Sequence, residues 1–386
     1  MKIAIVLGTR PEAIKLAPVA RRFLEVRYEF ETCVVVTAQH RGLLDQTLRA
    51  FAITPDYDLD VMRPGQTLAE SSSRILAALD PVFVKESPDL VMVQGDTTTT
   101  LCGALGAFFR GIAVAHVEAG LRTGDFRHPF PEEMSRVLTA QLATLHFAPT
   151  DTAAENLLRE GVAPERVLVT GNTGIDALLE TRDALASGSL WAQGLPALDT
   201  GKKLILVTAH RRESFGEGLD GICEALLRLA ARGDAQIVYP MHPNPNVRAV
   251  VERRLGGIDG ILLIEPLAYV PFVDLMSRAY VLLTDSGGIQ EEGPSLGKPV
   301  LVLREKTERP EAVAAGAARL TGTDPARIVA ETSLLLDDAA EYARRACVRH
   351  IYGDGRAATL IRDMVRTYFA IGYPSGAARS ASTPRI

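Results

Sequence analysis

Short apolar, β-branched runs alternate with stretches of helical spacing along the first 150 residues. Residues 3–7, 32–37, 90–94, 113–117 and 145–148 read as strands, and residues 11–25 and 68–85 repeat their apolar positions at helical intervals. That alternation predicts a doubly wound parallel sheet. After a polar, Gly/Pro-containing stretch from Ser187 to Lys203 the pattern restarts, with residues 204–208, 236–239, 261–264, 281–284 and 299–303 as strands. The two restarts are alike, since Ile5-Val-Leu-Gly-Thr-Arg-Pro-Glu12 and Leu206-Val-Thr-Ala-His-Arg-Arg-Glu213 both run from a strand into a basic–acidic loop. Two Rossmann-like domains are therefore expected, the first over residues 1–170 and the second over 171–364. Open α/β sheets bind ligands beyond the carboxyl ends of their strands, which predicts a site in an interdomain cleft. A final helix is expected over 357–370, and the small polar segment 375–386 reads as a frayed tail.

Composition narrows the class. A chain of 386 residues exceeds what one core usually organises, and 47% hydrophobic with 23% charged residues is an ordinary globular balance. The early apolar run is too short for a signal peptide or a membrane span, which predicts a cytoplasmic protein with no membrane partner. A net charge of −5 argues against a nucleic-acid binder, so an anionic ligand has to be met by a local cluster. Cys33, Cys102, Cys223 and Cys347 lie far apart with no CxxC pair, pointing to neither a zinc site nor a disulfide framework.

Several polar segments follow strands, where chemistry concentrates. The run 89–94 ends in Gly95-Asp96 and is followed by four threonines, Thr97 to Thr100. Asp96 reads either as a helix cap or as a functional carboxylate, with the threonines able to cap in its place. His116-Val-Glu-Ala-Gly-Leu-Arg122 carries Glu118 into a turn, where a salt bridge to Arg122 is the plain structural reading. Pro131 suits a first helical position, with Glu132 and Glu133 opposing the helix dipole. Three such loops could converge on one cleft as acid–base groups. In the second half, His210-Arg211-Arg212 and His242 follow strands, and histidine at such a position leans towards ligand contact. Ser286-Gly287-Gly288 sits at a strand-to-helix junction, where free N–H groups can meet a phosphate, while Glu292 farther along could take ribose hydroxyls. Thr307-Glu-Arg309-Pro-Glu311 reads first as an ordinary helix start.

Together, Gly8-Thr-Arg-Pro-Glu12, Thr37-Ala-Gln-His-Arg41, Gln94-Gly-Asp-Thr97, the 116–122 and 129–133 segments, Thr170-Gly-Asn172, His210-Arg-Arg-Glu213, Ser286-Gly-Gly-Ile-Gln-Glu-Glu292 and Thr307-Glu-Arg-Pro-Glu311 resemble the non-hydrolysing bacterial UDP-N-acetylglucosamine 2-epimerases. The resemblance runs from residue 3 to about 365. It implies a GT-B-type fold of two Rossmann-like doubly wound domains, with the end of the last helix, about 365–374, packing back on the first. It also implies a homodimer, a UDP-sugar substrate and no metal or other cofactor. Elimination of UDP to 2-acetamidoglucal would be followed by re-addition with a proton on the other face of C2, in the supply of surface polysaccharide precursors.

Position by position, the resemblance implies Asp96, Glu118, Glu132 and His210 as catalytic groups. Arg10, Lys15, His242, Ser286, Gly287, Gly288, Glu292 and Arg309 would contact substrate. Physically, proton removal beside the anomeric carbon needs a base, and the departing diphosphate needs positive charge. Gly42, Gly65, Gly293 and Lys306 depart from the family pattern. That leaves open regulation through the Gln39-His40-Arg41 loop and the identity of the sugar. A 2-epimerase of UDP-2,3-diacetamido-uronic acid, a hydrolysing epimerase and a GT-B glycosyltransferase are the alternatives.

Overall fold

The structure is a computed structural model that describes residues 1–37, 41–211 and 215–371. The expected tail, Ala38-Gln39-His40 and Arg212-Glu213-Ser214 lie outside the described residues. The chain divides into two compact units, Met1–Ala177 with Gly353–Ile386, and Leu178–Tyr352. The division falls at 177/178, inside the helix that begins at Thr173, and at 352/353, ahead of the helix that begins at Ala357; the sequence reading drew its lines at 170/171 and 364/365.

The first unit runs β1 (Lys2–Leu7), α1 (Arg10–Leu24), β2 (Glu31–Val36), α2 (Arg41–Ala50), β3 (Tyr57–Asp58), α3 (Leu68–Glu86), β4 (Leu90–Gln94), α4 (Thr98–Phe109) and β5 (Ala113–Val117). It continues with α5 (Glu132–Leu142), β6 (Leu145–Ala148), α6 (Asp151–Arg159), β7 (Val167–Val169) and the start of α7 (Thr173–Ala186). Its seven strands are ordered β3-β2-β1-β4-β5-β6-β7, and every pairing is parallel. Strand β4 is buried at all five positions, as a parallel strand covered on both faces requires.

The second unit runs β8 (Lys203–Thr208), α8 (Glu217–Ala230), β9 (Ala235–Pro240), α9 (Pro245–Leu255), β10 (Ile261–Ile264), α10 (Tyr269–Arg278) and β11 (Val281–Thr284). It closes with α11 (Gly287–Ser295), β12 (Val300–Val302), α12 (Pro310–Ala314), β13 (Ala318–Leu320), α13 (Pro325–Asp337) and α14 (Ala339–Arg345). Its six strands are ordered β10-β9-β8-β11-β12-β13 and are likewise all parallel. After Gly353 the chain re-enters the first unit as α15 (Ala357–Ala370), which packs on α1. Asp176 of α7 accepts hydrogen bonds from Ala357 N and Ala358 N at 3.2 and 2.8 Å, satisfying the first turn of α15.

Both sheets reverse their winding once, between β1 and β4 in the first and between β8 and β11 in the second. A crevice opens at the carboxyl ends of strands where the connections part to opposite faces. Arg10 opens the helix that follows the β1 loop, and the loop after β4 holds Asp96. The loops after β8 and β11 hold His210 and Ser286. Topology alone thus gathers the candidate residues into one cluster per unit. Cys33, Cys102 and Cys223 are buried and Cys347 is exposed, all four as free thiols. No helix among the described residues is long and apolar enough to cross a membrane.

Candidate active site

In the first unit, a cavity of about 350 Å³ is lined by Thr9, Pro11, Glu12, Lys15, Gln94, Gly95, Asp96, Thr97 and Glu118. Gly8 directly precedes the first of these residues. A side chain there would put Cβ 2.3 Å from both Thr37 Oγ1 and Thr99 Oγ1, so only glycine lets the β1 loop approach α4. Those two hydroxyls are hydrogen-bonded at 2.8 Å.

One buried carboxylate ties the two switch-point loops together. Glu12 Oε2 accepts Gly8 N at 3.0 Å and Thr9 N at 2.7 Å. Its Oε1 accepts the Thr97 hydroxyl at 2.7 Å and lies 3.2 Å from the Thr100 hydroxyl. Thr9 returns the bond to Glu12 N at 3.4 Å, completing a capping box on α1. Burial raises the Glu12 pKa, against the pull of those donors. Thr97, not Asp96, is the N-cap of α4, which leaves the Asp96 side chain to face the cavity.

Asp96 pairs with Arg136 of α5, and Glu118 pairs with Lys15 of α1. Arg136 also lies 3.3 Å from buried Glu133, whose Oε1 accepts Thr123 N at 2.9 Å and Gly124 N at 3.0 Å. Arg122 instead pairs with Glu160, so the local Glu118–Arg122 bridge suggested by spacing does not form. Pro131 occupies the N-cap position of α5 and Glu132 the first helical one, one residue later than expected. Glu132 Oε2 is buried with no hydrogen-bond partner among the described residues. Arg10 and Glu132 are not among the cavity walls.

Two backbone features aim this cluster. Glu118 has φ of 62°, a left-handed conformation that a non-glycine residue adopts at a cost and that recurs at functional sites. Gly120, with φ of 89°, passes so close to α6 that a Cβ would lie 2.1 Å from the Ala153 carbonyl oxygen. His116 is fully buried one strand-face position before Glu118, and its Nε2 donates to the Gly95 carbonyl oxygen at 2.7 Å. Burial pushes the His116 pKa down to about 4 and that of His146, its register partner on β6, to about 3. Both rings are therefore neutral and structural.

In the second unit His210 and His242 stack with centroids 4.8 Å apart and planes within 6°. Burial, followed by the neighbouring His210, lowers the His242 pKa. Buried Asp285 accepts His210 N and Arg211 N, each at 2.7 Å. Ser286 caps α11. Beside it, a methyl group on Gly287 would lie 3.7 Å from Arg309 Nη2 and 3.9 Å from Arg211 Nη2. Two guanidinium groups thus flank a helix start with free N–H groups, a ready anion site. Arg309 also pairs with Glu291. Glu292 is half-buried on the same helix. Among the described residues no group of three or more His, Cys, Asp or Glu side chains is placed to hold a metal ion.

Glu12, Arg136 and Asp285 were not singled out from the sequence as site residues, and Arg211 was read only as one of three cations after a strand. Glu12 had a readable signal, since a Thr-x-x-Glu string at a strand-to-helix junction is a capping box. The others depend on partners distant in the chain.

Residues 22–366 match the family described as UDP-N-acetylglucosamine 2-epimerase. The UDP-N-acetylglucosamine 2-epimerase of Salmonella typhimurium is 55% identical over 373 residues, covering 95% of this chain and 99% of the relative. That of Escherichia coli K12 is 54% identical over 371 residues, covering 95% and 98%. The crystal structure of the Neisseria meningitidis UDP-GlcNAc 2-epimerase bound to UDP-GlcNAc matches with a TM-score of 0.88 at 45% identity, covering 95% of this chain and 100% of that one. Two all-parallel Rossmann-like units agree with the GT-B-like fold of these neighbours. With agreement of this depth across nearly the whole length, the chain belongs to the UDP-N-acetylglucosamine 2-epimerase family, an isomerase family.

Proposed function

We propose that this enzyme interconverts UDP-N-acetylglucosamine and UDP-N-acetylmannosamine by eliminating UDP and adding it back. A carboxylate takes the C2 proton, the electron pair forms the C1=C2 bond, and the C1–O bond to UDP breaks to give 2-acetamidoglucal. UDP oxygen then re-adds at C1 while a proton is delivered to the opposite face of C2. One group cannot serve both faces of the same carbon, so at least two acid–base groups are needed. Asp96, Glu118 and Glu132 are our assignment for them. The cycle is redox-neutral and returns every proton it takes, which calls for no cofactor.

The observation that carries the reading is the division of chemistry between the two switch points. The first unit gathers Asp96 and Glu118 around one cavity with Lys15. The second builds a cationic helix start from Ser286, Gly287, Gly288, Arg309 and Arg211, with His210 and His242 stacked nearby. Charge growing on a departing diphosphate is stabilised by such preorganised donors. We assign Arg10 and Lys15 as further phosphate contacts and Glu292 as the ribose contact. We further infer a cytoplasmic homodimer supplying surface polysaccharide precursors.

Proton NMR of the purified protein with UDP-N-acetylglucosamine in D₂O tests the proposal. Deuterium at C2 together with UDP-N-acetylmannosamine is the expected result. Free sugar plus UDP would mean a hydrolysing epimerase, and absence of exchange would overturn the substrate assignment. Light scattering of the eluting protein checks the dimer.

A further inference from the structure

We propose that Asp285 is a positioning residue for His210, holding the ring with its proton on Nδ1 and leaving Nε2 for the diphosphate of the UDP-sugar. The inference rests on the function proposed above and adds a residue to it.

Asp285 is completely buried, directly after β11 and before the cap of α11. Its two oxygens do different things. Oδ2 accepts the backbone N–H groups of His210 and Arg211 at 2.7 Å each, which fixes the loop after β8. Oδ1 is buried, makes no hydrogen bond among the described residues, and faces His210 Nδ1 at 3.4 Å. A buried carboxylate oxygen is costly to leave unmet, and the group opposite it is a ring nitrogen that can carry a proton. Contacts of this kind are often long before substrate binds and shorten afterwards.

The ring is packed on one face. His242 lies parallel to its face at 4.8 Å. The chain just before it is anchored by the Tyr239 hydroxyl, which donates to the Ala209 carbonyl oxygen at 2.6 Å. Which nitrogen of a histidine carries the proton is set by what the other one meets. With Oδ1 at Nδ1, one proton belongs on Nδ1, and Nε2 is where the ring takes up a second proton from solvent; that Nε2–H donates to the diphosphate oxygen as the C1–O bond breaks, and Nε2 takes the proton back when the oxygen re-adds to C1.

A purely structural Asp285 would act through Oδ2 alone, and Asp285→Asn separates the two roles. Asparagine keeps one oxygen for the two backbone N–H groups but places an NH₂ opposite Nδ1, which forces the proton to Nε2. The tautomer is read by long-range ¹H–¹⁵N correlation on ¹⁵N-histidine-labelled protein at alkaline pH, above the ordinary histidine range, with His210→Gln giving the assignment. The expected result is an Nδ1–H ring in the wild type and an Nε2–H ring in D285N. At least about a tenfold loss of kcat should accompany the change, with the Kd for UDP within about threefold. An Nε2–H ring in the wild type overturns the proposal, and that measurement needs no variant to fold. Wild-type kcat in D285N overturns it as well. If the wild type fails to turn over UDP-N-acetylglucosamine, the function proposed above fails, while the tautomer and UDP titration still decide the role of Asp285.

Discussion

Glu12 offers the sharpest test of how the first unit is held together, because its substitutions to alanine and glutamine should behave oppositely. Glu12→Ala removes the acceptor of Gly8 N and Thr9 N and one side of the capping box. The Thr100 hydroxyl suffers less, since its single proton has the Gln94 carbonyl oxygen at 2.6 Å as the shorter acceptor. A buried N–H left without an acceptor costs about 1–3 kcal/mol. Thr9 lines the cavity, where water can replace the lost acceptor, so the cost falls chiefly on buried Gly8 N, and a net loss of about 3 kcal/mol is expected. At about 2–4 °C per kcal/mol for a domain of 150–250 residues, Tm should fall by roughly 6–12 °C. Glu12→Gln keeps an oxygen for both backbone N–H groups and presents NH₂ to hydroxyls that can turn to accept it, and glutamine serves in a capping box as well as glutamate. The sign of the pH effect follows from burial, which raises the folded pKa of Glu12. The folded state then holds the proton more tightly than the unfolded one, so this contribution is complete below the ordinary carboxylate value and declines as pH rises through the folded one. E12Q has no such decline and should gain on the wild type in urea midpoint as pH increases. The reasoning fails if E12A melts within about 2 °C of the wild type, or if E12Q falls as far as E12A.

The remaining tests address the chemistry and the frame around it. Asp96→Asn and Glu118→Gln should each lower C2 exchange by about 10²–10⁴-fold with UDP affinity nearly unchanged by calorimetry; wild-type exchange in either would remove that residue from the mechanism. Gly287→Asp would put a carboxylate beside the Arg309 and Arg211 guanidinium groups and should weaken UDP binding at least about tenfold, roughly the 1.4 kcal/mol of one charge-assisted contact. Gly120→Ala combines a positive φ with a 2.1 Å clash against the Ala153 carbonyl oxygen, so soluble expression or Tm should drop sharply, by about 3 kcal/mol or more. His116 is held down to about 4 by burial, so the unfolded chain takes up the proton first. The stability it contributes is complete above the ordinary histidine value of about 6.5 and is lost between there and about pH 4, about 3 kcal/mol at 1.36 kcal/mol per unit. Urea midpoints measured across that range should fall with acid, and a flat profile would contradict the neutral, buried assignment.

Much of the fold was legible because parallel strands buried on both faces are written as unbroken apolar runs. Residues 90–94, 113–117, 145–148, 261–264 and 281–284 read as strands in the sequence and form β4, β5, β6, β10 and β11 with the same bounds. The three strands that went unread sit at sheet edges, where little apolar sequence is needed. They are β3 with two residues, and β7 and β13 with three each. Edge strands have one neighbour and one solvent-facing side, so Tyr57-Asp58 and Ala318-Arg319-Leu320 carry no pattern that separates them from loop.

The candidate site was legible in position but not in partnership. That Asp96 and Glu118 leave strand ends follows from the local pattern. That Asp96 meets Arg136 and Glu118 meets Lys15 depends on where β1, β4, β5 and α5 lie in the sheet, across 40 and 103 residues of chain. Spacing favoured the nearer Arg122 for Glu118, yet the left-handed turn at Glu118 carries the carboxylate to Lys15 of α1 while Arg122 pairs with Glu160 at the end of α6. The consequence is chemical as well as geometric. Each of these two acidic groups enters the cavity with its own cation, so a carboxylate can stand beside a substrate that is itself an anion without adding uncompensated negative charge. On the function proposed above, this long-range pairing is what lets the two carboxylates act as acid–base groups beside a diphosphate.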